Sequence, residues 1–315
     1  MSRNRPMSRS RAMSMVGRAV AAVLAAAFAV GALAGCAPGG GDRPSVYVTT
    51  NILGDVVSEI AGDHLDIVTL MAPGADPHSF ELSAQQAAGL RDAELIVANG
   101  LGLEEGLAQH VEAAAEEGVP VMEAGEHVEV LEYAEGAGPD PHFWTDPAQM
   151  ILVVDALAPA LAELAGDEEA EVLAAAASYR EDLSALDEQM AESLSEIPAE
   201  HRALVTNHHV FGYLARRYDV TLLGAAIPGG TTLAAPSPAD LQELVDAIDT
   251  AGVRTIFAES SQPDRLVQVL AEEADREVAV VELITESLAP PGEPGDTYLD
   301  MMHVNTERIT TGLSP

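Results

Sequence analysis

From residue 44 onward, short apolar runs alternate with amphipathic stretches. "SVYVTT" (45–50), "LDIVTLM" (65–71), "ELIVANG" (94–100) and "VPVMEA" (119–124) have the length and β-branched content of strands. Residues 52–62, 83–93 and 104–117 have helical apolar spacing. This alternation predicts parallel strands joined by crossover helices. It returns with "RALVTN" (202–207), "VTLLGAAI" (220–227), "RTIFAES" (254–260) and "EVAVVEL" (277–283) as strands. Helices are predicted over 210–218, 237–250, 263–275 and 297–312. Ser237-Pro238-Ala239-Asp240 is a helix start, with Ser as N-cap, Pro first and Asp third.

Between the two series lies a helical region. Residues 146–166 carry apolar positions at helical spacing, and 167–197 are rich in Ala, Leu and Glu with no Gly or Pro. If continuous, the second stretch runs about 40–45 Å. It reads as a rigid spacer between the lobes or as a broken pair of ordinary helices. The fold class expected is α/β with two lobes, each a parallel-rich sheet flanked by helices, joined by a long rigid linking helix. The boundaries are an N-terminal lobe over 45–166, the linking helix over 167–198 and a C-terminal lobe over 199–315.

The first 35 residues read as an address. Arg3, Arg5, Arg9, Arg11 and Arg18 form a basic region before the apolar run 19–34, which is too short to span a membrane and fits a signal peptide. It ends in Leu33-Ala34-Gly35-Cys36, which looks like a bacterial lipobox with Cys36 as the lipidated mature N-terminus, or else an ordinary cleavage site. Residues 36–44 then read as a flexible tether. Cys36 is the sole cysteine, so intrachain disulfides and thiolate metal sites are excluded.

All 15 basic residues are Arg, against 51 Asp and Glu, for a net charge of −36. Such a surface repels nucleic acid and anionic lipid headgroups. The acidity also fits the base composition of the host or a salty habitat.

The chemistry concentrates in a repeated triplet. Asp76-Pro77-His78 in "GADPHSFELS" recurs as Asp140-Pro141-His142 in "GPDPHFWTDP". Proline biases the preceding aspartate toward extended conformations, so each triplet is a stiff turn ending in an imidazole. Ligands of open α/β sheets bind beyond the strand C-termini. His78, His142 and His208 all follow predicted strands, and Asp296 in "PPGEPGDTYLD" offers an oxygen donor. Spacing alone does not make a metal site of them, since a loop histidine is commonly just a polar surface residue.

Six segments carry a resemblance: "GADPHSFELS", "DPHFWTDP", "NHHVFGYLARRY", "IPGGTTLAAPSPADL", "IFAESSQPDRL" and "GDTYLDMM". In this order, across both predicted lobes, they resemble the metal-binding lipoprotein family of ABC importers, the zinc/manganese substrate-binding proteins called cluster A-I. The resemblance implies a metal site of His78, His142, His208 and Asp296, with His208 rather than His209 as third ligand. His209 departs from the family pattern and either orients its neighbour or faces solvent. Glu259 is expected as a hydrogen-bond partner of a ligand imidazole or as a structural strand-end carboxylate. His64, His110, His201 and His303 are expected on the surface, and the 126–141 loop, with only His127, lacks a histidine-rich metal-scavenging segment.

Three imidazoles and one carboxylate suit Zn2+, with Mn2+ as the alternative cargo. The resemblance thus implies an extracytoplasmic, monomeric, non-enzymatic binding protein, lipid-anchored through Cys36, that delivers metal to an ABC permease and binds no nucleic acid. A metallohydrolase and a surface adhesin are the alternatives from other classes, and neither has a sequence feature of its own.

Overall fold

The eight apolar runs all form strands in the computed structural model, which describes residues 43–133, 138–227 and 229–314. The signal segment, Cys36 and most of the tether lie outside the described residues. In the first half, β1 (Ser45–Val48), β2 (Asp66–Thr69), β3 (Leu95–Ala98) and β4 (Val121–Glu123) form a sheet in the order β2-β1-β3-β4. In the second half, β5 (Ala203–Thr206), β6 (Thr221–Ala225), β7 (Thr255–Glu259) and β8 (Ala279–Leu283) repeat it as β6-β5-β7-β8. Every pairing is parallel. The strand order of each sheet turns back beside its first strand, which leaves a crevice at the strand ends there.

Helices α1 (Asn51–Ala61), α2 (Ala84–Gly89) and α3 (Ala108–Glu116) belong to the first half. Ile52, Leu53, Val56, Val57 and Ile60 form the fully buried stripe of α1, each contributing roughly 1.5–3 kcal/mol of burial. Gly54 lets α1 lie directly on β2, since a Cβ there would collide with the Thr69 hydroxyl.

Helix α4 (Pro147–Ala165) starts on Asp146, whose Oδ1 accepts the Ala148 N–H at 2.9 Å, with Pro147 at the first position. It ends at Gly166, whose φ of 60° few side chains tolerate. After a single 3-10 turn, α5 (Glu169–Ser195) runs 27 residues, about 40 Å. An Arg180–Asp155 ion pair at 2.7 Å, with residues nearly equidistant from the turn, shows that α4 and α5 run antiparallel. One 18-residue stretch within Pro147–Ser195 is apolar enough to span a membrane by composition, yet Val153, Leu157 and Leu161 of α4 lie with Leu183, Leu186 and Met190 of α5 in one buried core.

Helix α5 touches α1 in the first half and both α6 (Gly212–Tyr218) and α9 (Tyr298–Leu313) in the second. It is the long helix between the lobes. Helices α7 (Pro238–Ala251) and α8 (Arg265–Glu273) cover the second sheet, and α7 opens with the Ser237/Asp240 capping box expected from sequence.

Candidate metal centre

Both triplets fold alike. The Asp76 Oδ1 accepts the His78 backbone N–H at 3.0 Å, and the Asp140 Oδ1 accepts that of His142 at 3.0 Å. Each aspartate thus locks its own turn across the intervening proline and aims the histidine inward. His78 follows β2, and His142 lies in the loop beyond β4. His208 sits two residues beyond β5, its backbone N–H held by Glu259 Oε1 at 3.0 Å.

The three imidazoles meet. Their ring centroids are 5.2–5.6 Å apart, and all three side chains are essentially inaccessible. The fourth member of the cluster is Glu286, three residues beyond β8. Its carboxylate lies 3.9 Å from His78 Nε2, 3.4 Å from His142 Nε2 and 3.3 Å from His208 Nε2.

Asp296 is not in this cluster, and the sequence expectation is corrected there. Its Oδ2 accepts the Gly292 N–H at 2.7 Å and closes the turn that precedes α9. The Gly-Pro-rich chain around it places it next to the start of that helix, while the strand-end position belongs to Glu286. The rule that found His78 and His208, a polar residue just past a strand, also points to Glu286 beyond "EVAVVEL".

Outer hydrogen bonds fix the imidazoles. His142 Nδ1 is 2.7 Å from Asp140 Oδ1, and His208 Nδ1 is 2.7 Å from Glu259 Oε1. A carboxylate beside Nδ1 holds the proton there and frees the Nε2 lone pair. Glu259 therefore has the imidazole-orienting place envisaged for it. His209 is half-buried outside the cluster, and its carbonyl accepts from the Tyr133 hydroxyl at 3.3 Å. His110, His127, His201 and His303 are exposed. His64 is partly buried, with its Nε2 3.3 Å from the exposed Glu171 carboxylate.

The electrostatics are those of a site built for a cation. Burial pushes the His78 imidazole down to about 4, partly offset by Glu286. At His208 burial also favours the neutral ring, but Glu259 and Glu286 outweigh it and raise the group to about 10. Burial favours protonated Glu286, yet the surrounding imidazoles outweigh it and hold the carboxyl at about 2.

Both Glu286 oxygens, His78 Nδ1 and His208 Nε2 are buried without hydrogen-bond partners among the described residues, a costly arrangement for polar atoms. His142 Nε2 and His78 Nε2 face each other at 3.4 Å, where two lone pairs repel unless a proton or cation lies between. Three imidazole nitrogens and a carboxylate converging on one buried point match the donor set of a closed tetrahedral metal site.

Fold and site together define a cleft suited to capturing a metal, with candidate ligands from two α/β halves. Residues 46–312 match the family described as zinc-uptake complex component A, periplasmic (ZnuA), and the chain belongs to that family. It is 31% identical over 278 residues to the metal ABC transporter substrate-binding lipoprotein SsaB of Streptococcus sanguinis, covering 85% of this chain and 89% of that one. It is 30% identical over 282 residues to the manganese ABC transporter substrate-binding lipoprotein PsaA of Streptococcus pneumoniae, covering 87% and 90%. The zinc-binding protein TroA of Treponema pallidum is 31% identical over 284 residues, covering 86% and 89%. A solved structure of TroA superposes with a TM-score of 0.81 at 30% identity, covering 87% of this chain and all of that one. The protein is an extracytoplasmic metal-binding component of an ABC transport system, not an enzyme.

Proposed function

We propose that the protein captures Zn2+ through the Nε2 atoms of His78, His142 and His208 and the carboxylate of Glu286, and delivers it to an ABC permease. The observation that carries this reading is the convergence of four buried ligand-bearing side chains from both halves, with His208 Nε2 and both Glu286 oxygens left without a hydrogen-bond partner among the described residues. Four protein ligands leave no open position for an activated water, as suits capture and release rather than catalysis. The protein acts as a monomer held at the outer membrane face by a lipid on Cys36, which is how the relatives named lipoproteins support the LAGC reading.

Zinc is favoured over manganese by the ligands. Three imidazoles suit zinc, whereas manganese prefers oxygen donors, and divalent affinity at nitrogen sites rises toward the end of the first row. Manganese is the second reading, favoured by the carboxylate and by the name of PsaA. The test is elemental analysis of protein purified without chelators, wild type beside His142→Ala, followed by Zn2+/Mn2+ competition. One equivalent of zinc in the wild type and little in the variant is expected. A wild type that retains one equivalent of manganese against zinc would reverse the assignment.

A further inference from the structure

Beyond their turns the two triplet aspartates bond differently, and both lead to one short segment of the second half. Asp140 turns to its own imidazole. Asp76 reaches across the cleft: its Oδ2 accepts from Thr232 Oγ1 at 2.7 Å and from Gln262 Nε2 at 2.9 Å. Next to Thr232, Thr231 Oγ1 donates to Glu105 Oε1 at 3.0 Å. Gly230, just before Thr231, lies against the Tyr133 ring, with no space there for a Cβ. The Tyr133 hydroxyl in turn lies 2.9 Å from His142 Nδ1 and 3.1 Å from Asp140 Oδ1, and it reaches the His209 carbonyl.

Residues 229–233 therefore touch the supports of both first-half histidines, Asp76 behind His78 and Tyr133 behind His142. They contribute no residue to the buried core, and Leu233 is 57% exposed. Their polar contacts to the first half cross the same cleft as the ligands: His78 and His142 come from one side, His208 and Glu286 from the other. The two halves cannot separate around a bound ion without breaking these contacts.

We propose that residues 229–233 form a latch across the cleft, and that Thr232 and Tyr133 are positioning residues that set how fast bound metal leaves. The latch rests on the metal site proposed above. It acts on dissociation because its bonds exist only when the halves meet, whereas encounter of a small ion with the open cleft does not require them. The Thr232 bond to Asp76 ends on a charged acceptor, so its loss speeds release about tenfold or more.

The test is stopped-flow transfer of zinc from loaded full-length protein to an excess of a chromogenic chelator. Thr232→Val is expected to release zinc about tenfold faster, and Thr232→Ser at the wild-type rate. Gly230→Ala removes no hydrogen-bonding group but displaces the Tyr133 ring, and it is expected to release zinc faster as well. The visible spectrum of bound Co2+ should be unchanged in Thr232→Val, because no ligand is altered. Wild-type release rates in both Thr232→Val and Gly230→Ala overturn the latch while leaving the metal site standing. A changed Co2+ spectrum in Thr232→Val, or equal acceleration in Thr232→Ser, also overturns it. Failure of the wild type to load zinc removes the site itself, and the latch with it.

Discussion

Glu259→Gln isolates what a carboxylate behind a ligand contributes. Glu259 Oε1 accepts both the Nδ1–H and the backbone N–H of His208, at 2.7 and 3.0 Å, and Oε2 accepts from Thr285 Oγ1 at 3.4 Å. Glutamine keeps the shape and one acceptor oxygen but loses the charge. Two effects of that charge oppose each other. It stabilises protonated His208, which competes with the metal, and it strengthens His208 as a ligand to a dication. The metal carries twice the proton's charge, so the second effect wins. Removing such an outer partner costs about 10–100-fold in metal affinity, or about 1.4–2.7 kcal/mol. Chelator competition at pH 7 measures the affinity. Calorimetry in buffers of different ionisation enthalpy counts the protons released per metal, and that count should fall in the variant. Unchanged affinity together with unchanged proton release in Glu259→Gln would show that Glu259 does not act through His208.

Four further outcomes are expected. Zinc affinity falls steadily from pH 8 to pH 5, because the ligating imidazoles must be neutral and His208 already holds a proton at pH 7 in the metal-free protein; a flat profile argues against histidine ligation. In the metal-free fold, the His208–Glu259 pair gives stability that is fully present below about 6.5 and lost as pH rises through about 10, so the melting temperature in chelator declines over that window in the wild type and less in Glu259→Gln. Burial raises Asp55 to about 6 while it accepts the Tyr298 N–H at 2.8 Å; Asp55→Asn keeps an acceptor and should stabilise the protein at pH 7 by about 1–3 kcal/mol, a gain that vanishes below about pH 4 in thermal melts. Asn51 holds the segment bearing Glu286, donating to Ser287 Oγ at 2.7 Å and accepting the Leu288 N–H at 3.0 Å; Asn51→Ala leaves that N–H unpaired, costs about 1–3 kcal/mol in denaturant melts, and weakens zinc binding as well.

The parts of the fold legible in the sequence are those set by local periodicity. All eight strand runs and the helices around them reflect apolar spacing that tertiary packing did not override. Pro147 after Asp146 and the Ser237/Asp240 box mark helix starts because capping is decided within one turn. The break at Gly166 was less legible, since a single glycine at a helix end does not say whether the chain continues or folds back.

At the site, the proline-stiffened triplets mark His78 and His142 and His208 follows its strand directly, but only the family resemblance joins the three into a metal site. Glu286 was missed because nothing near it is repeated or stiffened, and a glutamate in an acidic chain is inconspicuous. Asp296 is the fourth ligand that the resemblance implies through "GDTYLDMM", but its Gly-Pro surroundings serve a turn rather than a ligand. Tyr133 and Thr232 were invisible for a different reason: their roles depend on contacts made across the cleft, between residues 76 or more positions apart for Tyr133–His209 and Thr232–Asp76.

The most direct measurement is a crystal structure of the zinc-loaded protein with anomalous scattering recorded at the zinc edge. One strong peak is expected, about 2.0–2.2 Å from the Nε2 atoms of His78, His142 and His208 and from a Glu286 oxygen. A peak bound instead by Asp296, or one touching fewer than three of those histidines, would contradict the four-residue site on which capture and release depend.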